Sequence, residues 1–196
     1  MQRSTVVRPS SVLLPHSSLA VDAGLVVLFG ALTALTAQIS IPLPGTPTPL
    51  TGQTFGVLLA GAALGSRRGA LSQLAYLAAG LTLPVFSGGG TWATSIAKGT
   101  EGFLVGFVLV AFLVGWLAER GWTQTFPKTL AAMTIGHLAI YTVGVLPYAT
   151  YWGMGLERAL MIAFVPFIVS SIVKIVLAAV LFPSAHKFVD SFQKPS

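Results

Sequence analysis

Gly102-Phe-Leu-Val-Gly-Phe-Val-Leu-Val-Ala-Phe-Leu-Val-Gly-Trp-Leu-Ala118 is an apolar run of 17 residues that carries no charge and is closed by Glu119 and Arg120. A helix on the surface of a soluble protein keeps a polar face, and this run has none, so all of its sides must meet lipid or protein. At ~1.5 Å per residue it is about 26 Å long, close to the hydrocarbon thickness of a bilayer. The whole chain agrees with it. Of 196 residues, 54% are hydrophobic and 8% are charged, with a mean hydropathy of +0.83. Soluble domains carry about 25% charged residues.

Working outward, breakers divide the rest into further apolar blocks near residues 20–41, 53–65, 69–86, 129–146 and 166–183. The first block is too long for a signal-peptide core and lacks a clean cleavage site, so it is read as a span. The sequence predicts an all-α membrane protein of six transmembrane helices in one domain over residues 20–185. Residues 1–19 form an amino-terminal segment and residues 186–196 a carboxy-terminal tail, both cytoplasmic. The second and third blocks are short for spans of about 20 residues. The segment between Pro42 and Gly52 holds four prolines in eight residues and cannot be helix interior. Irregular backbone at membrane depth is tolerated where it lines a cavity, which makes this loop a site candidate. Residues 87–95, Ser-Gly-Gly-Gly-Thr-Trp-Ala-Thr-Ser, read as a flexible polar loop. Pro147, Tyr148, Tyr151 and Trp152 read as an interfacial aromatic cluster, followed by a short interfacial helix over 156–164.

The net charge is +6. With six spans, eight cations (Arg3, Arg8, Arg67, Arg68, Arg120, Lys128, Lys187 and Lys194) share the side of both termini, and two, Lys98 and Arg158, occupy the other. Cytoplasmic loops are enriched in Lys and Arg, so both termini are expected in the cytoplasm of a cell-membrane protein. The Pro- and Gly-rich loops then face outward. No basic run with interleaved aromatics suggests nucleic-acid binding. There are no cysteines, metal-ligand cluster, paired intramembrane carboxylates or phosphate-cradling loop, so neither an enzyme nor a cofactor is expected. Any ATP-driven step would need a separate ATPase.

Lys174 lies eight residues into the last block, near the midplane, where a lysine costs ~2.5–3.5 kcal/mol on insertion scales. It is expected to face a polar cavity, either holding a ligand or satisfied by groups such as Ser170 and Ser171. Lys98 and Glu101 form a surface ion pair, or one of them closes over a ligand. Gln53 either caps its helix or presents an amide to a neutral polar ligand. Gln73 and Tyr76 share a helix face and either line the pocket or pack against a neighbour. His137 is read as a structural hydrogen-bonder. Gly30 and Ala34, like Thr33 and Ala37, are small residues four apart, which allow close helix approach within the bundle or against a membrane partner.

Several segments resemble the BioY family, the biotin-specific substrate-binding (S) components of energy-coupling factor (ECF) transporters. The clearest is Pro47-Thr-Pro-Leu-Thr-Gly-Gln-Thr-Phe-Gly-Val-Leu-Leu-Ala-Gly-Ala-Ala-Leu-Gly65. Further matches are Tyr76–Gly80, Leu83–Gly90, Gly102–Phe107, Ile140–Gly144 and Pro166–Lys174, in order over roughly residues 20–185. The resemblance implies an ECF S-component-like six-helix bundle that captures biotin from outside and delivers it with a coupling transmembrane subunit and cytoplasmic ATPases. Lys174 matches the lysine of the family's Gly-Asp-x-x-Lys motif. Gln53, Thr100, Ser171 and Lys174 would bind biotin by hydrogen bonds, Trp92 or Tyr76 would cover its rings, and Tyr141, Lys98 and Glu101 complete the expected pocket. Gly30 and Ala34 would face the coupling subunit. Two departures stand out. The Gly-Asp of the motif is Ser170-Ser171 here, and the family's Gly-Pro-Thr-Gly-Gly-Tyr is Lys98-Gly-Thr-Glu-Gly-Phe103. Either Glu101 supplies the missing counter-charge to Lys174, or the pocket takes another vitamin or a biotin precursor. A stand-alone secondary transporter is the alternative from another class.

Overall fold

The computed structural model describes residues 12–14 and 17–193; Arg3, Arg8, His16 and Lys194 lie outside them. The chain folds into a helical bundle. Helix α1 (Leu19–Ala37) starts at the N-cap Ser18, whose Oγ accepts from the Val21 amide, and carries Asp22 in its first turn. The proline loop folds back on itself as a hairpin. Strand β1 (Ser40–Ile41) pairs antiparallel with β2 (Leu50–Thr51), Ser40 opposite Thr51. Helix α2 (Gln53–Leu64) turns into α3 (Ser66–Ala79) at Gly65, whose φ of 85° is open to glycine but strained for other residues.

The loop expected to be flexible contains a helix, α4 (Trp92–Ala97), stabilised by a capping box between Thr91 and Thr94. Then follow α5 (Glu101–Glu119), α6 (Phe126–Ala149), the short α7 (Leu156–Ala163), a 3-10 turn over Val165–Phe167, and α8 (Ile168–Gln193). Helix α6 runs through Pro147, and α8 continues past Pro183, where the last span was expected to end. Both prolines persist inside helices, as they do in membranes where neighbouring elements re-satisfy the freed backbone.

Among the described residues, four stretches are long and apolar enough to cross a bilayer: α1, α5, α6 and the continuous Leu156–Val189. Helices α2 and α3, with 12 and 14 residues, reach only about 18 and 21 Å. They lie against α1 and α5, so α2 meets protein on nearly every side, and nine of its residues are buried. Six helices (α1, α2, α3, α5, α6 and α8) thus form the bundle, with α4 and α7 at loops.

Small residues hold the short helices in place. A Cβ on Gly61 would stand 2.5 Å from the Ala111 carbonyl oxygen, and one on Gly69 would stand 2.8 Å from the Gly61 Cα. One on Gly115 would stand 2.4 Å from the Gly65 carbonyl carbon. Lipid is as apolar as a side chain, so close van der Waals contact of this kind is what drives helices together. The end of α3 is capped from α5, where Glu119 Oε1 accepts from the Ser66 amide (2.7 Å) and hydroxyl (2.8 Å). Carboxylates are favoured at helix amino termini.

Residues named from the sequence also pack within the bundle. Gly30 faces inward, where a Cβ would stand 2.9 Å from the Ser72 carbonyl oxygen on α3, and Ala34 packs against the core. Both take part in packing inside the chain, Ala34 while only half-buried. Arg68, one of the cations counted at the side of the termini, is buried. It is 3% exposed, its Nη1 pairs with Asp22 Oδ1 at 2.7 Å, its Nε donates to the Leu64 carbonyl at 3.1 Å, and its Nη2 donates to the Leu14 carbonyl.

Two substitutions test the glycine seam. Gly115→Ala should destabilise the protein by about 1–3 kcal/mol through overpacking, whereas Gly24→Ala, on an exposed helical site with nothing within 4 Å, should stabilise it slightly. Thermal unfolding in detergent separates the two.

Candidate ligand-binding site

The hairpin, α4 and the starts of α2 and α5 lie at one end of the bundle; the Gly65 turn and the Glu119 cap lie at the other. At the first end a cleft, partly open to solvent, sinks between α2, α5, α6 and α8. One wall is apolar and aromatic: Phe86, Phe103, Leu104, Phe107 and Phe167. The other is polar, with Thr51, Gln53, Thr54, Thr100, Lys98 and Lys174. No carboxylate lines the cleft, and both of its cations are lysines.

Lys174 is half-buried and lies six residues into α8. Its Nζ donates to the Thr51 carbonyl at 2.6 Å and to Thr54 Oγ1 at 2.8 Å. Among the described residues no carboxylate lies within ion-pair distance, so Glu101 does not serve as its counter-charge. Nor do the serines that replace the family's Gly-Asp. Ser170 and Ser171 both donate to the Phe167 carbonyl, at 3.0 and 2.9 Å. The lysine is instead bound to the hairpin and α2, so its charge is met by neutral oxygens.

Of the residues picked from sequence, Gln53, Lys98, Thr100, Tyr141 and Lys174 line the cleft, whereas Tyr76, Trp92, Glu101 and Ser171 do not. The excluded ones stand behind those that line it, Glu101 excepted. Gln53 Nε2 donates to Tyr76 Oη at 2.6 Å, and its Oε1 accepts from Thr51 Oγ1 at 3.0 Å, so its amide is fixed in one orientation. Tyr76 and Trp92 hold Phe86 edge-on at centroid distances of 5.2 and 5.7 Å, and Trp92 Nε1 donates to the Leu77 carbonyl. These two rings support Phe86, and Phe86 is the ring of the three that lines the cleft. Ser171 spends its proton on Phe167 and accepts from the Tyr141 hydroxyl at 2.7 Å, which fixes the Tyr141 ring. Glu101 begins α5 with a buried Oε2 that has no hydrogen-bond partner, and no ion pair joins it to Lys98. Elsewhere, Gln73 binds Thr33 and Ser72 between α1 and α3, and His137 Nδ1 lies 3.0 Å from the Met133 carbonyl.

Sequence reading missed Tyr148. Grouped with Tyr151 and Trp152 as an interfacial aromatic, it is 0% exposed, while Tyr151 is 83% exposed. Its hydroxyl donates to the Lys98 carbonyl at 2.8 Å and accepts from Thr48 Oγ1 at 2.9 Å. One phenol on α6 therefore binds the hairpin loop to the end of α4 across the rim of the cleft. The only sequence signal was its place one helical turn beyond Gly144, on the face that packs against α5. A second link joins the hairpin to the segment before α4: Ser40 Oγ and Ser87 Oγ lie 2.8 Å apart. Tyr148→Phe keeps the ring and removes both bonds. Amide hydrogen exchange should quicken in residues 40–51 and 95–100 and stay unchanged within α5; unaltered exchange at the rim would contradict the tether.

Comparison with known proteins agrees with this architecture. A model of the BioY family matches residues 8–191. A biotin transporter BioY from Rhizobium etli is 39% identical over 169 residues, which cover 82% of this chain and 90% of that protein. A biotin transporter BioY from Thermotoga maritima is 36% identical, covering 79% and 89% respectively. The fold is similar to a crystal structure of the S component for biotin from an ECF-type ABC transporter, with a TM-score of 0.74 at 22% identity over 88% of this chain and 95% of that one. That likeness concerns the fold, and the family follows from the sequence: the chain belongs to the BioY family.

Proposed function

We propose that this membrane protein is the substrate-binding component of a biotin uptake system, capturing biotin from the outer side and delivering it through an ATP-driven coupling module. The observation that carries the reading is the cleft itself, a largely aromatic and aliphatic wall facing two lysines and no acid. Biotin combines an apolar thioether ring and chain with a polar ureido group and a carboxylate, which is the chemistry such a wall and such donors suit. The relatives from Rhizobium etli and Thermotoga maritima, both biotin transporters, support the ligand. The role of an S component that works with a partner subunit and ATPases rests on the likeness in fold to the ECF-type S component for biotin.

Orientation follows from charge. Arg67 and Arg120 sit at the Gly65 end, together with Lys128 at the start of α6, whereas the cleft end carries Lys98 and Arg158. By the positive-inside rule the Gly65 end is cytoplasmic, and the cleft opens outward. An S component for another vitamin or a biotin precursor is the second reading. Ser170-Ser171 favours it, because these hydroxyls bind Phe167 and leave Lys174 without the acid of the family motif.

Mass spectrometry of small molecules extracted from the purified protein should recover biotin; recovery of a different vitamin or precursor instead would favour the second reading. Lys174→Met should weaken biotin binding by roughly 1–3 kcal/mol through loss of a charged donor. Unchanged affinity with greater thermal stability would make the lysine structural.

A further inference from the structure

Lys98 differs from every other residue of the cleft in its connections. It is the ionisable side chain that lines both the main cleft and a second, shallower one outside it, between the hairpin loop (Pro42, Thr46, Pro47) and the Ser87-Gly88 turn. Its backbone is fixed, because its carbonyl accepts from Tyr148 and the following Gly99 turns at a φ of 70° against Tyr148 and Trp152. Its side chain is exposed, and among the described residues its ammonium has no carboxylate within ion-pair distance. Glu101, the nearest acid in sequence, lines neither cleft. Lys98 is therefore a cation on a rigid support at the mouth, with no partner of its own.

Lys174 is the opposite case. Two of its three N–H donors are taken by Thr51 and Thr54. One donor remains, which matches a single neutral carbonyl oxygen. A carboxylate placed there would have to shed its water beside a lysine already engaged with neutral oxygens, and desolvation of an ion is costly. At the mouth a carboxylate stays partly hydrated and meets an unengaged ammonium.

Building on the biotin reading, we infer that Lys98 is a specificity-determining residue that holds the ligand's carboxylate at the rim, while Lys174 faces the neutral ureido end inside. The lysine found where the family has glycine thus selects ligands with a free acid.

The test is a double-mutant cycle by calorimetry on the full-length protein, with biotin and biotinamide as ligands and the unaltered protein, Lys98→Gln and Lys174→Met as hosts. An exposed ion pair is expected to give biotin a preference over the amide of roughly 3- to 5-fold. That preference should vanish in Lys98→Gln, persist in Lys174→Met, and shrink at high salt in both hosts that retain Lys98. A preference that survives Lys98→Gln, or that disappears in Lys174→Met, overturns the assignment while leaving biotin binding in place. Failure of the unaltered protein to bind either ligand overturns the proposed function, and the assignment with it. Lys98 is exposed, so Lys98→Gln should fold, and an unchanged thermal unfolding profile confirms that the affinities compare like with like.

Discussion

An ammonium group on a membrane-embedded helix must find acceptors inside the protein, and Lys174 finds them on the hairpin and on α2. This requirement links α8 to the hairpin and so encloses the cleft on its polar side. The carbonyl it takes is that of Thr51, one residue after Leu50 in β2, so the lysine also replaces part of the hydrogen bonding that a two-residue strand cannot supply alone. With no acid within ion-pair distance among the described residues, the charge is met by neutral oxygens, and one N–H of the ammonium remains free. Stability and ligand binding therefore draw on the same side chain.

The cleft also depends on the shortness of α2 and α3. Neither crosses a bilayer alone, and the space beyond α2's first turn is filled by the hairpin that lines the cleft. That geometry holds because Gly61, Gly69 and Gly115 let α2, α3 and α5 approach backbone to backbone. At the far end, Glu119 on α5 caps α3, and Arg68 joins α3 to Asp22 of α1. The rigid end is thus rich in fixed polar contacts, whereas the cleft end is closed by loop-to-loop bonds centred on Tyr148 and Ser87.

Much of the bundle was legible because lipid imposes a simple rule: long uncharged runs such as 102–118 have few alternatives to a helix. The prolines of 42–49 marked the hairpin region, and the two short blocks showed where spans would fall short. Helix ends were less legible. Pro147 and Pro183 look like stops, yet both lie inside helices because the surrounding protein accommodates the missing amide. Glycines at 88–90 hid α4, whose capping box is a local hydrogen-bond pattern that composition does not reveal. In the site, charge pointed to Lys98 and Lys174, and amide chemistry to Gln53. Tyr76, Trp92 and Ser171 were read as touching the ligand because their side chains are suitable, but each supports a neighbour that lines the cleft. Tyr148 was missed for the converse reason. An aromatic beside Tyr151 and Trp152 resembles an interfacial belt, and only three-dimensional packing reveals that its hydroxyl is buried. Gly30 and Ala34 show the same limit, since spacing identifies a close-packing stripe but not what packs on it.

The cleft's aromatic lining and two lysines suit one small, amphipathic acid. Calorimetric titration of the purified, detergent-solubilised protein with biotin tests this most directly. The account predicts saturable binding of one biotin per chain at micromolar affinity or tighter. The absence of binding in a folded, ligand-free preparation would contradict it.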